Sequence, residues 1–193
     1  MDNSTPLRTF GTMLDCSRNA VPNLHTLKKW VNLTASLGYN TLLLYTEDTY
    51  EVPDEPYFGY MRGRYSQAEL RELDAYANER GMTIMPCIQT LAHLYAIKRW
   101  PEYWPHFDTD DILLAGDERV YTLIDHMFRS LAASLSCRTI HLGMDEAEMF
   151  ARGRYYNQHG DCNRSQALLT HLQRVCEIGE TYGFRFLIWS DMF

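Results

Sequence analysis

No stretch of the chain holds the roughly 18 consecutive apolar residues that a membrane-spanning helix requires, so no helical span and no membrane partner are expected. Positive charge is scarce. Lys and Arg number 18 against 25 Asp and Glu, a formal net charge of −7, and no Lys/Arg-rich run breaks that balance. An acidic surface repels phosphate backbones, which argues against nucleic acid as a partner. Met1 to Phe10 is polar and lacks a basic stretch leading into an apolar one, so no secretory leader is expected. The five cysteines, Cys16, Cys87, Cys137, Cys162 and Cys176, are odd in number and include no C-x-x-C pair. This pattern fits reduced, mostly buried thiols, and with the missing leader it implies a cytoplasmic location. No G-x-G-x-x-G follows the first apolar run, which argues against a dinucleotide site.

What is present alternates short apolar runs with longer amphipathic ones. Residues 9–15 read as a first strand. Residues 23–37 read as a helix, with Asn23 as N-cap, Gly38 just past its end, and Leu27, Trp30, Val31 and Leu37 on its buried side. Residues 40–45 form a compact apolar strand, buried on both faces as in a parallel sheet. A long aromatic loop over 46–65 follows, and loops of that length are usually functional. Ser66 and Glu69 spell a capping box for a helix over 66–80, closed by Gly81. Further strands are predicted at 82–89, 139–142 and 186–189, with helices at 117–135 and 165–182. A short helix or loop carrying His93 and Trp100 lies after the third strand. Its aromatics Trp100, Tyr103, Trp104 and Phe107 fit a glycan platform or simple packing around Pro101 and Pro105 equally well.

Strict β-α alternation means parallel strands joined by right-handed crossovers. The polar residues cluster just after strand C-termini, once per unit, as at a barrel mouth. The expected fold class is therefore α/β. It is an incomplete (β/α)8 TIM-type barrel of about five parallel strands with flanking helices, and residues 1–193 form one catalytic-barrel domain without its last three units. Such open edges are expected to favour self-association, and hydrolysis by the chain alone is expected to be weak.

The most informative segment is Thr139-Ile140-His141-Leu142-Gly143-Met144-Asp145-Glu146. Alternation along a strand sends Thr139, His141, Gly143 and Asp145 into the barrel and Ile140, Leu142 and Met144 towards the helices. Asp145 then sits inward at the strand end, and Glu146 bends over the mouth. Two carboxyls there point to glycoside chemistry. Neighbouring residues rarely flank a sugar as acid and nucleophile, so adjacency makes more sense if the substrate supplies the nucleophile. The competing reading is a conventional pair of separated carboxylates, such as Glu47 with Glu146. His141 reads as a satisfied interior histidine.

The run His141 to Glu146 resembles the His-x-Gly-x-Asp-Glu signature of glycoside hydrolase family 20, the β-N-acetylhexosaminidases. Other segments agree in order. Asp15-Cys16-Ser17-Arg18 resembles the first-strand motif ending in a sugar-binding Arg. Residues 44–48 (LYTED) resemble the acidic end of the second strand, 86–93 (PCIQTLAH) the third-strand motif ending in His, and Trp189-Ser190-Asp191 the fifth-strand Trp with its following acid. Cys87, Gln89, Leu91, Ala92 and Met144 depart from the family pattern. The resemblance is nearest to the branch without secretion signals or accessory domains.

The resemblance implies a retaining exo-β-N-acetylhexosaminidase that releases terminal GlcNAc or GalNAc through an oxazolinium intermediate. Glu146 would be the acid and base, and Asp145 would orient the acetamido group. Arg18, Glu47, His93, Trp189 and Asp191 would bind substrate, with Glu47 preferred to Asp48 and with His93 bonded to Glu47. The implied partner is a glycan or glycoconjugate ending in an N-acetylhexosamine. No metal and no cofactor is implied. A catalytically incompetent fragment is the reading of a different class.

Overall fold

The computed structural model describes residues 8–18 and 20–193, so most of the polar N-terminal segment lies outside the described residues. Five parallel strands form one sheet in the order β1-β2-β3-β4-β5: β1 Gly11–Asp15, β2 Thr41–Tyr45, β3 Thr83–Cys87, β4 Thr139–His141 and β5 Arg185–Leu187. Strand order follows chain order throughout. A doubly wound sheet would reverse direction at a switch point, whereas a barrel advances one strand at a time. The helices follow the same progression. With α1 Leu24–Ser36, α2 Gln67–Asn78, α3 Glu118–Ser134, α4 Arg154–His159 and α5 Arg164–Glu180, α1 packs on α2, α2 on α3, and α3 on α5. The fold is thus five consecutive units of a (β/α)8 arrangement.

Each long helix begins at a side chain that satisfies an otherwise orphan N–H. Asn23 accepts from the Thr26 N–H at 2.9 Å, Asp117 from Arg119 at 2.9 Å, and Asn163 from Gln166 at 3.1 Å. The capping box forms as read: Glu69 N–H donates to Ser66 Oγ, and Ser66 N–H to Glu69 Oε2. Burial on α1 falls on Leu27, Val31 and Thr34, with Trp30 partly covered. Leu37, expected inside, is 63% exposed, because it is the cap residue and the chain turns away there. Two short 3-10 helices, Tyr95–Arg99 and Pro101–His106, occupy the segment after β3. The helix α4 was not anticipated; its six residues carry no buried stripe to announce it.

The long loop after β2 has a core of its own. Tyr50, Val52, Phe58 and Tyr65 are buried, and Tyr50 pairs with Tyr65 across a single parallel bridge. Gly59 sits at φ +64, and a Cβ there would lie 2.1 Å from the Asp48 carbonyl oxygen, so only glycine lets the loop close on its own start. The tetrapeptide Arg-Gly-Arg-Tyr occurs twice with different outcomes. Residues 62–65 end a turn, and residues 152–155 lead into α4. The aromatic cluster of the third loop divides as well. Tyr103 and Phe107 are buried, Trp100 stacks on Tyr57 at 5.0 Å, and Trp104 remains 57% exposed.

Register partners in parallel strands point the same way. Leu14, Leu44, Pro86, Ile140 and Phe186 follow one another on one face; Phe186 reaches Gly179 of α5, which marks this as the helix side. The opposite face carries Asp15, Tyr45, Cys87, His141 and Leu187 in register. Two residues further along each strand, this inner face reaches the mouth.

Beneath the mouth, His171 of α5 is fully buried. Its Nε2 meets the Thr90 carbonyl at 3.0 Å and its Nδ1 the Tyr121 hydroxyl at 3.3 Å. Burial is the main cause that lowers its pKa to about 4. The unfolded chain protonates this ring near pH ~6.5. The stability the neutral ring confers is therefore complete above that pH and is lost as pH falls towards 4, about 3 kcal/mol in total. Urea unfolding at pH 7.5 and pH 4.5 should show this loss, and His171→Gln should remove most of it. An equal pH dependence in the variant would contradict the assignment.

Candidate active site

The candidate side chains converge at the C-terminal ends of all five strands. Arg18 follows β1, Glu47 follows β2, His93 follows β3, Asp145 and Glu146 follow β4, and Trp189 and Asp191 follow β5. A cleft of about 270 Å3 is lined by Asp15, Arg18, Tyr45, His93, Asp145, Glu146 and Trp189, with Met13 at its floor. A neighbouring cleft of about 450 Å3 shares Asp145, Glu146 and Trp189 and adds Glu148, Ser190 and Asp191.

Asp145 is the better held of the two acids. Its side chain is 22% exposed, against 70% for Glu146. Gln89 Nε2 donates to Asp145 Oδ1 at 2.8 Å and also to the Tyr45 hydroxyl at 2.9 Å. The other Gln89 atom, Oε1, accepts from the Met144 N–H at 3.2 Å. The amide therefore clamps the acid and the backbone just before it. His93 Nε2 lies 3.4 Å from Asp145 Oδ2 and 3.7 Å from Glu146 Oε2, so one imidazole bridges both carboxylates. Asp191 accepts from the Glu146 backbone N–H at 2.9 Å. The acid on the fifth-strand loop thus fixes the main chain of its neighbour.

His93 was expected to bond Glu47, and it does not. The Glu47 carboxylate is occupied by the Arg18 guanidinium and by the Tyr45 hydroxyl at 3.3 Å, which leaves His93 to the β4 acids. Of the two acids after β2, Glu47 pairs with the cleft-lining Arg18, while Asp48 pairs with Arg62 at 3.2 Å. His141 is buried, accepts from the Gly143 N–H through Nδ1 at 3.1 Å, and lies 4.5 Å from the Trp189 ring. Burial holds its pKa below the ordinary histidine value, as befits an interior residue. Trp189 is 38% exposed and offers an apolar wall beside the acids.

The backbone here is strained. Glu47 (φ +32), His93 (φ +58), Met144 (φ +69) and Glu146 (φ +52) all occupy the left-handed region, at a cost of about 1–3 kcal/mol each. Such conformations persist where surrounding bonds overdetermine them, and they gather at functional sites. Gly143 (φ +73) is the enabling residue, because a Cβ on it would meet Gln89 Oε1 at 2.1 Å.

Proximity to Asp145 raises the His93 pKa above the usual value, against the opposing effect of burial. Burial pushes the Asp145 carboxyl up, but His93 and Gln89 outweigh it and its pKa lies below the ordinary one. Burial likewise pushes Glu47 up, and Arg18 only partly offsets it. By the same linkage, the His93 contribution to stability is present below pH ~6.5 and lost as pH rises through its elevated pKa. An NMR titration should give His93 a pKa above 6.5 that drops in Asp145→Asn; an unchanged value would mean the pair does not interact.

Sequence reasoning missed Gln89 and Tyr45 as parts of the site. Gln89 had registered only as a departure from a pattern. Its parity with Met85 and Cys87 would have placed it on the inner face. Among the described residues, no group of three or more His, Cys, Asp or Glu side chains is disposed to hold a metal ion, and no helix is long and apolar enough to cross a membrane.

The fold is that of a (β/α) barrel-type domain, and two consecutive acids stand at its mouth. The sequence profile described as "Glycosyl hydrolase family 20, catalytic domain" matches residues 9–193, and the chain belongs to this family. Among curated proteins, a "Beta-hexosaminidase" of Vibrio furnissii is 30% identical over 175 residues, covering 70% of this chain and 28% of that protein. Human "Hexosaminidase D" is 24% identical, covering 100% of this chain and 41% of the relative. The chain thus spans well under half of these proteins. Among solved structures, an exo-β-N-acetylglucosaminidase of family 20 from Vibrio harveyi, in complex with N-acetylglucosamine, superposes with a TM-score of 0.83 at 22% identity, over 95% of this chain and 35% of that one.

Proposed function

We propose that the chain carries the acid pair of a retaining exo-β-N-acetylhexosaminidase that acts by substrate assistance on glycans ending in GlcNAc or GalNAc. The observation that carries this reading is the unequal support of two adjacent acids. Asp145 is half-enclosed and clamped by Gln89 and His93, whereas Glu146 is open to the cleft. Family 20 is one of the recognised exceptions to the scheme of two separated carboxylates. In this reading the substrate's acetamido oxygen attacks the anomeric carbon, and the bond to the leaving oxygen breaks as Glu146 donates its proton there. Asp145 accepts from the acetamido N–H, aims the carbonyl, and stabilises the positive charge that grows on the oxazolinium ring. A water that has lost a proton to Glu146 then opens that ring with overall retention.

The remaining residues serve binding. Arg18 offers a planar fork for sugar hydroxyls, held by buried Glu47, and Trp189 flanks the acetamido methyl. A pair formed by Glu47 and Glu146 is less well supported, because Glu47 is already engaged by Arg18 and Tyr45. Two secondary proposals go with this reading. The exposed inner-face residues Met13, Leu187 and Trp189 favour self-association of the isolated chain and weak turnover by it. Five unpaired cysteines favour a reducing, cytoplasmic setting.

An N-acetylglucosamine thiazoline, which mimics the bicyclic intermediate, tests the mechanism by titration calorimetry. It should bind at least ~100-fold tighter than GlcNAc, since a transition-state mimic gains what substrate does not. Equal affinities would sink the substrate-assisted reading.

A further inference from the structure

We infer that Tyr45 and Gln89 are positioning residues that tie the two ends of the sugar site together, through a buried hydrogen-bond relay from the Arg18 guanidinium to the Asp145 carboxylate. The functional consequence rests on the roles proposed above for Arg18 and Asp145; the relay itself does not.

Glu47 receives the relay from both sides. Its Oε1 accepts from the Arg18 guanidinium and, at 3.3 Å, from the Tyr45 hydroxyl. The Tyr45 oxygen in turn meets Gln89 Nε2 at 2.9 Å, and the same nitrogen reaches Asp145 Oδ1 at 2.8 Å. The middle members, Glu47, Tyr45 and Gln89, are buried. The two ends are open, with the Arg18 side chain 63% exposed and that of Asp145 22% exposed. Both ends line the same cleft. A bound sugar can therefore touch both, while the links between them stay almost closed to water.

The direction of every bond is fixed. The Met144 N–H can only donate, so the Gln89 atom facing it at 3.2 Å is the oxygen. The Gln89 NH2 then faces the other way, with one proton for Asp145 and one for Tyr45. Tyr45 accepts there, which leaves its own proton for Glu47. Burial pushes the Tyr45 hydroxyl above the ordinary tyrosine value, so that proton stays in place. A guanidinium only donates, so Arg18 also needs Glu47 as an acceptor. No middle member can turn round without stranding a buried donor or acceptor, which costs more than a weakened bond. The amide also fills the space that a side chain at Gly143 would need.

Hydrogen bonds in a row polarise one another, most of all away from water. A sugar hydroxyl that engages Arg18 changes the charge that Glu47 meets. That change passes through the Tyr45 hydroxyl to the amide that aims Asp145. Recognition of hydroxyls at one end thus sets the acid at the other, and neither Tyr45 nor Gln89 exchanges a proton with substrate.

The test perturbs one end and reads the other. Without ligand, the carbon NMR signal of the Asp145 carboxyl is followed in Arg18→Gln, Tyr45→Phe, Gln89→Leu and the doubles of Arg18→Gln with each of the other two. Arg18→Gln should move that signal in the otherwise unaltered protein. The movement should fall to roughly half or less when either link is cut, and two cuts guard against one that fails to fold. A movement of equal size with the links intact and cut means that the charge acts through space, and overturns the inference. No movement at all also overturns it. With N-acetylglucosamine thiazoline, Arg18→Gln and Tyr45→Phe should each weaken binding about tenfold, and the double variant should lose at least ~threefold less than the product of the two. Losses that simply multiply overturn the inference and leave the sugar reading standing. A relayed NMR movement with no thiazoline binding keeps the relay and refutes the sugar reading.

Discussion

Glu146→Gln should lower the turnover of aryl N-acetylglucosaminides with poor leaving groups by about 10²–10⁴-fold, the range of general acid–base catalysis. The same variant should recover much of the rate of its first step when the leaving group is as acidic as a dinitrophenol, which departs without a proton. Asp145→Asn should behave differently. Both Asp145 oxygens accept in the structure, one from Gln89 at 2.8 Å and the other facing His93 at 3.4 Å. An amide replaces one of those acceptors with a donor and also removes the negative charge that the proposed mechanism sets opposite the oxazolinium. The expected loss is about 10²–10³-fold, independent of the leaving group, because ring formation itself is impaired. Steady-state rates across a leaving-group series separate the two roles. If both variants respond in parallel to leaving-group acidity, the division of labour between the acids is wrong.

Gly143→Ala should destabilise the chain by about 3 kcal/mol and disorder Asp145. Two causes add. The residue adopts φ +73, which costs a side chain roughly 1 kcal/mol or more, and its Cβ would lie 2.1 Å from Gln89 Oε1 and 2.7 Å from the Ile88 carbonyl oxygen. The backbone oxygen cannot swing aside, so the strand end or Gln89 must shift. A displaced Gln89 releases Asp145 and the Met144 N–H together. Urea denaturation and the NMR-detected His93 pKa report the two consequences. A loss below about 0.5 kcal/mol with an unaltered His93 titration would show that the tight approach is not structural.

Much of this architecture is legible in the amino-acid order because local and global signals agree. The helices carry apolar stripes and named caps, so Asn23 and the Ser66–Glu69 pair mark their starts correctly. The strands alternate or run apolar, and the acid pair follows β4, although a turn through Gly143 and Met144 rather than strand alternation sets its direction. The ends of β1 and β2 fall where they are expected, whereas those of β3, β4 and β5 come one to two residues earlier, as at 82–89 against Thr83–Cys87, because mouth residues keep the strand's apolar pattern after ladder pairing stops. What was not legible are contacts set by turns rather than by periodicity. The left-handed backbone at His93 and Glu146 decides where those side chains go, and nothing in their residue types announces it. That is why His93 was paired with the wrong acid. Gln89, the residue that holds Asp145, was hidden because an amide in place of an acid looked like a loss. In the fold it donates to two acceptors and accepts from the backbone, which a carboxylate could not do.

Substituting fluorine into the substrate's acetamido group probes the attacking atom itself. Each fluorine withdraws electrons from the amide oxygen without changing the leaving group or the acids. If that oxygen closes on the anomeric carbon above Asp145, kcat should fall steeply and progressively from acetamide to mono-, di- and trifluoroacetamide. Rates that stay level along the series would place the nucleophile on the protein or on water, and would contradict the assignment of the adjacent acids.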